Sequence, residues 1–361
     1  MNQFLRSTRL VSKELIWLVA VASSLACQGE RKTSAHQGQP LATAKSETAR
    51  ATPAEPSARQ EPSVPRRTAP SRVVAVGDLH GDLQAARRAF RAAKVTDESD
   101  RWIGGDSVVV QTGDVLDRGD EERALLEWLD GMEGKAKQAG GAIHRLNGNH
   151  EVMNVAGDLR YVAEKGFLDF AQYATGSLPE PLARAPAAHR GRLKAFLPGG
   201  TWARRLSEFP VVLVVNDTLF AHGGVVRKHV EYGLDRINTE VSAWMRGVRP
   251  LPQALAEDEA PFWDRTYGDD VSARDCQRLE EVLAALSAKR LVVGHTPQKN
   301  GVTFACDKRV ARIDVGLSSF YGSNPAAVLE INGDEVAVLT EKPGSTPLRR
   351  PAAAGRAEAR P

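Results

Sequence analysis

Five short apolar segments along the chain each end in polar residues. They read VVAVGDLHG at 73–81, SVVVQTGDVLDRG at 107–119, IHRLNGNHE at 143–151, TLFAHGG at 218–224 and RLVVGHT at 290–296. A continuous apolar run of this length, bounded by glycine or other turn residues, is typical of a strand that is buried on both faces. The pattern therefore predicts at least five strands whose carboxyl ends carry Asp, Asn or His.

Amphipathic helices are predicted after the first two of these strands. One face of the segment after Asp82 carries, at helical spacing, Leu83, Ala86, Phe90 and Ala93. A helix that begins at Glu121 has an inward face made of Leu125, Trp128, Leu129 and Met132. Strand, loop and helix in this order, repeated twice, favour a parallel sheet with helices packed on it.

The second half of the chain is predicted to form a second sheet. A hairpin is expected at 211–224, turned at Asn216-Asp217, and a helix over 272–288 precedes the run at 290–296. The segments TFACDKRVARIDVG and AAVLEINGDEVAVLT follow as alternating strands with a turn at Asn332-Gly333. The predicted fold class is α/β, with two β-sheets packed face to face and flanked by helices.

The polar residues at the strand ends form the candidate site. Ligands bind outside the carboxyl ends of strands in α/β sheets, so we expect one site made of Asp78, His80, Asp114, Asn149, His222 and His295. Oxygen and imidazole ligands without thiolate suit Mn, Fe or Zn. A carboxylate such as Asp114 can bridge two ions, and the set therefore predicts a two-metal centre.

Three other features concern the surroundings of this site. Gly148 suits a tight turn whose backbone comes close to another group. Residues 155–206 lack the strand pattern and are predicted to be an insertion that overhangs the site. The acidic residues Asp120, Glu121 and Glu122 are expected to serve the dipole of the helix that they begin, so they are left out of the site.

The N-terminal residues 1–27 are predicted to be an export signal. A basic start is followed by a mostly apolar stretch over 15–26, which is too short for a stable membrane span. Its end, Ser24-Leu25-Ala26-Cys27, resembles a lipoprotein processing box and predicts lipidation of Cys27. Ser24 stands where such boxes usually hold Leu, so ordinary signal cleavage is the alternative. The implied location is exported, either periplasmic or attached to the bacterial outer membrane.

Composition divides the rest of the chain into three parts. Residues 28–71 are rich in Pro, Ser, Thr, Ala and Gln and predict a disordered linker. Residues 72–341 form the predicted catalytic domain, and 342–361 a disordered tail. The net charge of the chain is +3, but positive charge is concentrated in the terminal segments and the domain itself is acidic. An acidic domain argues against a nucleic-acid partner.

The chain contains three cysteines. With Cys27 consumed by processing, Cys276 and Cys306 are expected to be buried free thiols, because their spacing carries no disulfide signature. A disulfide between them is the alternative, since an exported protein lies in an oxidising compartment.

The motifs GDLHG, GDVLDRG, GNHE, HGG and GHT, in this order, resemble those of the phosphoprotein phosphatase family of calcineurin-like metallophosphoesterases. The stretches GDVLDRGDEE, NGNHEVMNVAGDLRYV and DVGLSSFYG resemble the Shewanella-like phosphatase subfamily. Eukaryotic serine/threonine enzymes of the family differ, because they carry GDYVDRG, an arginine in place of Asn147 and a C-terminal SAPNYC segment that this chain lacks.

The resemblance implies a role for each motif residue. One metal would be held by Asp78, His80 and Asp114, and the other by Asp114, Asn149, His222 and His295. His150 would be the general acid, oriented by Asp117. Arg118 would grip the phosphate, with Arg265 in FWDRTYG as a second clamp in a region that matches less closely. The bidentate geometry of a guanidinium group matches that of a phosphoryl group.

The function implied is hydrolysis of phosphomonoesters, with phosphoproteins as substrates, by direct attack of a metal-bridging hydroxide. Some members of the subfamily prefer phosphotyrosine. Hydrolysis of dinucleoside polyphosphates is one alternative, but the long segment 155–206 argues against it. A surface lipoprotein that binds a metal or a partner without catalysis is another, although the ligand and acid residues are complete.

Overall fold

The computed structural model describes residues 64–70, 72–177, 180, 182–256, 258–322 and 324–341. Eleven strands occupy Arg66–Arg67 (β1), Val73–Val76 (β2), Val108–Gln111 (β3), Ala142–Arg145 (β4), Val212–Val215 (β5), Thr218–Ala221 (β6), Arg290–Val293 (β7), Thr303–Ala305 (β8), Val310–Arg312 (β9), Ala327–Asn332 (β10) and Glu335–Thr340 (β11) in this part of the chain. Its α-helices occupy Leu83–Ala92 (α1), Glu122–Gln138 (α2), Asn149–Val155 (α3), Glu164–Leu168 (α4), Ala187–Phe196 (α5), Thr201–Leu206 (α6), Arg227–Tyr232 (α7), Leu234–Met245 (α8), Gln253–Ala256 (α9) and Ala273–Ala285 (α10).

The strands form two mixed sheets. A five-stranded sheet has the order β11-β10-β2-β3-β4, and a six-stranded sheet has the order β1-β5-β6-β7-β9-β8. Strands β2, β3 and β4 are parallel, with Val73 opposite Val108 and Val108 opposite Ala142. Strands β6, β7 and β9 are likewise parallel. The carboxyl ends of three neighbouring strands therefore meet at one edge of each sheet.

Alternation of side chains along the strands accounts for the layered core. Val73 and Ala75 of β2 pack with Leu213, Phe220 and other residues of the six-stranded sheet in one cluster. Val74 and Val76, which point the other way, belong to the larger cluster that includes the buried faces of α1 and α2. Strands buried on both faces need apolar residues at every position, which explains the unbroken apolar runs.

The predicted α/β fold with two packed sheets is confirmed, and so is the hairpin turned at Asn216-Asp217, where β5 pairs antiparallel with β6. The linker predicted over 28–71 is wrong at its end, because β1 pairs parallel with β5. This pairing uses main-chain groups and exposed arginines, which leave no apolar pattern in the sequence. The predicted segments 1–27 and 342–361, and the linker before residue 64, lie outside the described residues.

The expectation of free thiols is wrong, because Cys276 and Cys306 form a disulfide. Cys276 lies in α10, and Cys306 follows β8 in the turn before β9, where its φ is +53°. The two cysteines lie 30 positions apart along the chain, and only the packing of α10 beside this turn brings them together.

Within the described ranges, no helix is long and apolar enough to cross a membrane.

Candidate metal centre

The six predicted ligands come from the carboxyl ends of five strands. Asp78 and His80 follow β2, Asp114 follows β3, and Asn149 follows β4. His222 and His295 follow β6 and β7 of the other sheet. All six residues are buried, although none of them is apolar. Parallel strands deliver such residues to one edge by their geometry.

The backbone at this edge is strained. His80, Asp114, Asp117, Arg118 and His295 all have φ between +43° and +68°, a region that residues other than glycine seldom adopt. Such strain clusters at functional sites, where the surrounding structure over-determines it.

The turn predicted at Gly148 is confirmed, because a Cβ atom on this residue would lie 2.2 Å from Asp114 Oδ1. Gly294 has the same role for another carboxylate, since its Cβ would lie 2.4 Å from Asp78 Oδ1. Both glycines let the backbone approach a carboxylate more closely than any side chain allows. Substitution of either residue would displace a candidate ligand.

Nitrogen and oxygen atoms that can donate a lone pair converge around the ring of His222. Its Nδ1 lies 3.0 Å from the carbonyl oxygen of Thr112, which can only accept, so Nδ1 carries a proton and, in the neutral ring, Nε2 presents a lone pair. Within 3.2 Å of this Nε2 lie Asn149 Oδ1, Asp114 Oδ2 and His295 Nδ1. Lone pairs that face one another repel, so a cation among them fits this arrangement.

His80 presents a second lone pair to the same carboxylate. Its Nδ1 donates to the carbonyl oxygen of Leu116 at 3.0 Å, and its Nε2 lies 3.8 Å from Asp114 Oδ2 and 3.9 Å from Asp78 Oδ2. Asp78 in turn accepts the backbone N–H of His295 at 3.2 Å. Asp114 therefore lies between His222 on one side and His80 on the other, a position that suits a ligand shared by two metal ions.

Ionisation equilibria support metal binding by these imidazoles. Burial lowers the pKa of His80 to about 3, and burial with the neighbouring His222 lowers the pKa of His295 to about 2. Both rings are therefore neutral near pH 7 and can donate a lone pair. Burial raises the pKa of Asp114, but His222 and His150 oppose this and hold the pKa well below its usual range.

The surroundings of His150 raise its pKa, whereas those of His80 and His295 lower theirs. Its Nδ1 lies 2.6 Å from Asp117 Oδ2, and its backbone N–H donates to Asp114 Oδ1 at 3.0 Å. Burial lowers the pKa of His150, but Asp114 and Asp117 outweigh it and raise the pKa above the ordinary value. A ligand must be neutral whereas a general acid must carry a proton, so this ring suits the acid role.

The two predicted phosphate-binding arginines lie on different sides of the cluster. Arg118 places Nη1 3.3 Å from His80 Nε2 and Nη2 3.2 Å from His150 Nε2. Arg265 is exposed and donates to Thr296 Oγ1 at 2.9 Å and to the carbonyl oxygen of His295 at 3.3 Å. The structure thus brings all ten predicted site residues to one edge of the sandwich.

Several residues at this edge were not predicted. Glu151 accepts four backbone N–H groups, those of Asp114, Val115, Leu116 and Gly148, at 2.8–3.1 Å. Its carboxylate therefore shapes the loop that carries Asp114. The motif GNHE contained this signal, because a buried acid beside ligand residues needs donors.

Glu122 lies in the first turn of α2, where an acid is expected to serve the helix dipole, but its contacts are with the site. The side chain is fully buried, accepts the backbone N–H of Asp117 at 2.9 Å and forms an ion pair with Arg192. Exposed acids at a helix start serve the dipole, but the sequence does not show that this one faces inward.

Asp314 is a further buried carboxylate, two residues after β9. Its Oδ1 accepts the backbone N–H of Gly316 at 3.0 Å, and its Oδ2 has no hydrogen-bond partner among the described residues. Burial raises the pKa of Asp314 to about 6. The signal was available, because the run VARIDVG contains an Asp just after its strand, like the other strand ends.

Residues 71–299 match the family model described as calcineurin-like phosphoesterase. The chain belongs to this family, and it is a metal-dependent phosphoester hydrolase. The family implies divalent metal ions, and two groups of facing side chains are candidate ligands, namely His80, Asp114 and His150, and Asp114, His222 and His295.

The relatives confirm the more specific resemblance. The chain is 38% identical over 324 residues to Shewanella-like protein phosphatase 2 of Arabidopsis thaliana, covering 81% of this chain and 83% of that one. It is 27% identical over 280 residues to Shewanella-like protein phosphatase 1 of Plasmodium berghei, covering 73% of each. The fold matches that of a cold-active protein-tyrosine phosphatase of a psychrophilic Shewanella species, with a TM-score of 0.61, 23% identity and coverage of 78% and 83%. The two sequence relatives, both named as protein phosphatases, favour that activity over the two alternatives.

Proposed function

We propose that the protein is a two-metal phosphoprotein phosphatase. The observation that carries this proposal is the position of Asp114, whose Oδ2 lies 3.2 Å from His222 Nε2 and 3.8 Å from His80 Nε2. One metal would be held by Asp78, His80 and Asp114, and the second by Asp114, Asn149, His222 and His295. Bound divalent ions polarise the phosphoryl group and lower the pKa of water, and Mn, Fe and Zn suit these ligands.

The protein residues divide the remaining work. Arg118 binds the phosphoryl oxygens through two N–H groups, and Arg265 stands on the other side as a second clamp. His150 protonates the departing oxygen, while Asp117 holds its ring and favours the charged form. His150 also faces Asp114 at 3.8 Å, the same distance as His80. We assign it as the acid because the pKa of His150 is raised, whereas that of His80 is lowered.

Activity profiling of the purified chain tests this function. We expect hydrolysis of phosphotyrosine, phosphoserine or phosphothreonine peptides that is abolished by a chelator and restored by Mn, Fe or Zn. Diadenosine tetraphosphate is the competing substrate. Faster turnover of this dinucleotide than of every phosphopeptide would contradict the proposal, and so would the absence of any activity after metal loading.

Phosphotyrosine is the proposed preferred substrate. The guanidinium carbon of Arg118 lies 5.2–5.5 Å from the ring centres of Tyr161, Phe320 and Tyr321. Tyr161 is 44% exposed and Phe320 is 60% exposed, so two aromatic surfaces border the proposed phosphate position and remain open to solvent. Aromatic pairs gain about 0.5–1.5 kcal/mol beyond the area that they bury, which an aliphatic phosphoserine cannot provide. The Shewanella enzyme that shares the fold is itself described as a protein-tyrosine phosphatase.

Phe320→Ala should therefore lower kcat/KM on a phosphotyrosine peptide up to about tenfold and leave a phosphoserine peptide of the same sequence nearly unchanged. Ile103→Ala is the matched control, because this residue is 57% exposed and precedes β3 at the opposite end of the sheet. Equal losses on the two peptides would show that Phe320 does not select the aryl group.

Export and lipidation of Cys27 are also proposed, from the apolar stretch over 15–26 and the Leu-Ala-Cys sequence that ends it. We expect the mature protein, expressed in a bacterial host, to begin at Cys27, to carry lipid and to sediment with membranes. Mass spectrometry of its N-terminal peptide is the measurement. Cys27→Ser should leave the chain unlipidated. A soluble wild-type product that begins at another residue would contradict lipidation and would indicate ordinary signal cleavage and secretion.

A further inference from the structure

An arginine from the insertion lies directly behind the catalytic histidine. Arg192 belongs to α5, and its side chain is fully buried. Its Nε donates to Asn154 Oδ1 at 2.7 Å, and its Nη2 donates to Asp117 Oδ1 at 3.1 Å. Its Nη1 forms an ion pair with Glu122 and donates to the carbonyl oxygen of Gly166 at 3.0 Å. Every nitrogen of this buried guanidinium group therefore has a hydrogen-bond partner, and together these residues form one hydrogen-bond network.

This network determines where the carboxylate of Asp117 points. Asp117 Oδ2 contacts His150 Nδ1, while Oδ1 accepts from Asn154 Nδ2 at 2.8 Å and from Arg192. Asn154 also donates to the carbonyl oxygen of His150 at 2.9 Å. Rotation of the carboxylate away from His150 would break both bonds to Oδ1. The ring of His150 is therefore held from the insertion through one intermediate residue.

Only arginine suits this position. The guanidinium carbon of Arg192 lies 5.2 Å from the ring centre of Phe170 and 5.1 Å from that of Phe196. The aromatic rings pack against a planar cation that also reaches two carboxylates, and a lysine ammonium cannot reproduce this fork. Arg192 also offsets charge, because Asp117 and Glu122 are both fully buried beside it.

We propose that Arg192 is a positioning residue for the general acid, so that the segment 155–206 contributes to the catalytic machinery through this side chain. The inference rests on the proposed acid role of His150. Arg192 contacts neither the substrate nor the metal ligands, so its effect on the rate is indirect. We expect this effect to be larger for a leaving group that needs a proton than for one that does not.

The test compares Arg192→Met with Arg190→Met. Arg190 lies on the same helix and donates to the carbonyl oxygen of Ala185, outside the network. The measured quantity is the ratio of kcat on a phosphoserine peptide to kcat on p-nitrophenyl phosphate, whose leaving group needs no proton. We expect Arg192→Met to lower this ratio about tenfold, less than the roughly 10²- to 10⁴-fold contribution of the acid itself. Arg190→Met should leave the ratio unchanged.

Arg192→Met leaves two buried carboxylates without their cation and can fail to fold, since loss of one partner of a buried pair typically costs about 3–5 kcal/mol. The double variant Arg192→Met/Glu122→Gln removes one of these charges and carries the same test. Metal content is measured in each variant and should stay at the wild-type level. An unchanged ratio in the folded double variant, with kcat lower on both substrates alike, would overturn the positioning role. Failure of the proposed function is distinct, because wild type itself would then lack metal-dependent activity.

Discussion

Asp114→Asn should lose both metal binding and activity, and this is the largest effect expected of any single substitution. The neutral amide keeps the shape of the side chain but removes the negative charge that faces both His80 and His222. Loss of even an outer partner of a metal ligand typically costs about 10- to 100-fold in metal affinity. Loss of a bridging carboxylate should exceed this for both ions, because each of them depends on it.

Elemental analysis of the purified variant, beside kcat on p-nitrophenyl phosphate, measures the effect. Asp307→Asn is the matched control, since this exposed residue lies in the turn before β9, at the opposite edge of the sheet from the site. Wild type and the control should retain two metals per chain. Two tightly held metals per chain in Asp114→Asn would contradict the assignment of Asp114 as the bridging ligand.

His150→Asn should slow the reaction in a manner that depends on the leaving group. General acids contribute typically about 10²- to 10⁴-fold, and the departing alkoxide of phosphoserine needs the proton far more than nitrophenolate does. The variant should therefore lose most of its activity on a phosphoserine peptide and much less on p-nitrophenyl phosphate. Because His150 is assigned as the acid and not as a ligand, its metals should remain bound.

The measurement is kcat on both substrates with metal content determined on the same samples, under conditions where chemistry limits the rate. His144→Asn serves as the control, because this histidine lies on β4 and outside the site. Equal losses on both substrates would indicate that His150 orients the nucleophile or binds the phosphoryl group. Loss of metal would indicate that it is a ligand, as its 3.8 Å distance from Asp114 Oδ2 allows.

The pH dependence separates these roles further. The pKa of His150 is raised in the folded protein, so the protonated acid persists to a higher pH than that of a free imidazole. We expect the phosphoserine activity to fall as pH rises through this raised pKa, and the fall to be much weaker for p-nitrophenyl phosphate. His150→Asn should remove the difference between the two alkaline limbs.

Local patterns in the sequence determined the fold class and the membership of the site. The unbroken apolar runs require strands buried on both faces, and parallel strands bring their carboxyl ends to one edge, so Asp78 and His295 could be placed together despite a separation of 217 positions. Each ligand follows its strand within a few residues. A short segment of sequence is therefore enough to predict where the ligand lies.

Only the tertiary structure decided which distant groups support that site. Arg192 and Asp117 lie 75 positions apart, and Arg192 and Glu122 lie 70 apart, in segments whose local patterns give no reason to pair them. The Cys276–Cys306 disulfide and the pairing of β1 with β5 have the same origin. From the sequence alone, a charged side chain in an insertion is predicted to lie on the surface, because the packing of the insertion is not known. Burial removes water from Arg192 and Glu122 and makes each require the other, and this requirement arises only in the folded chain.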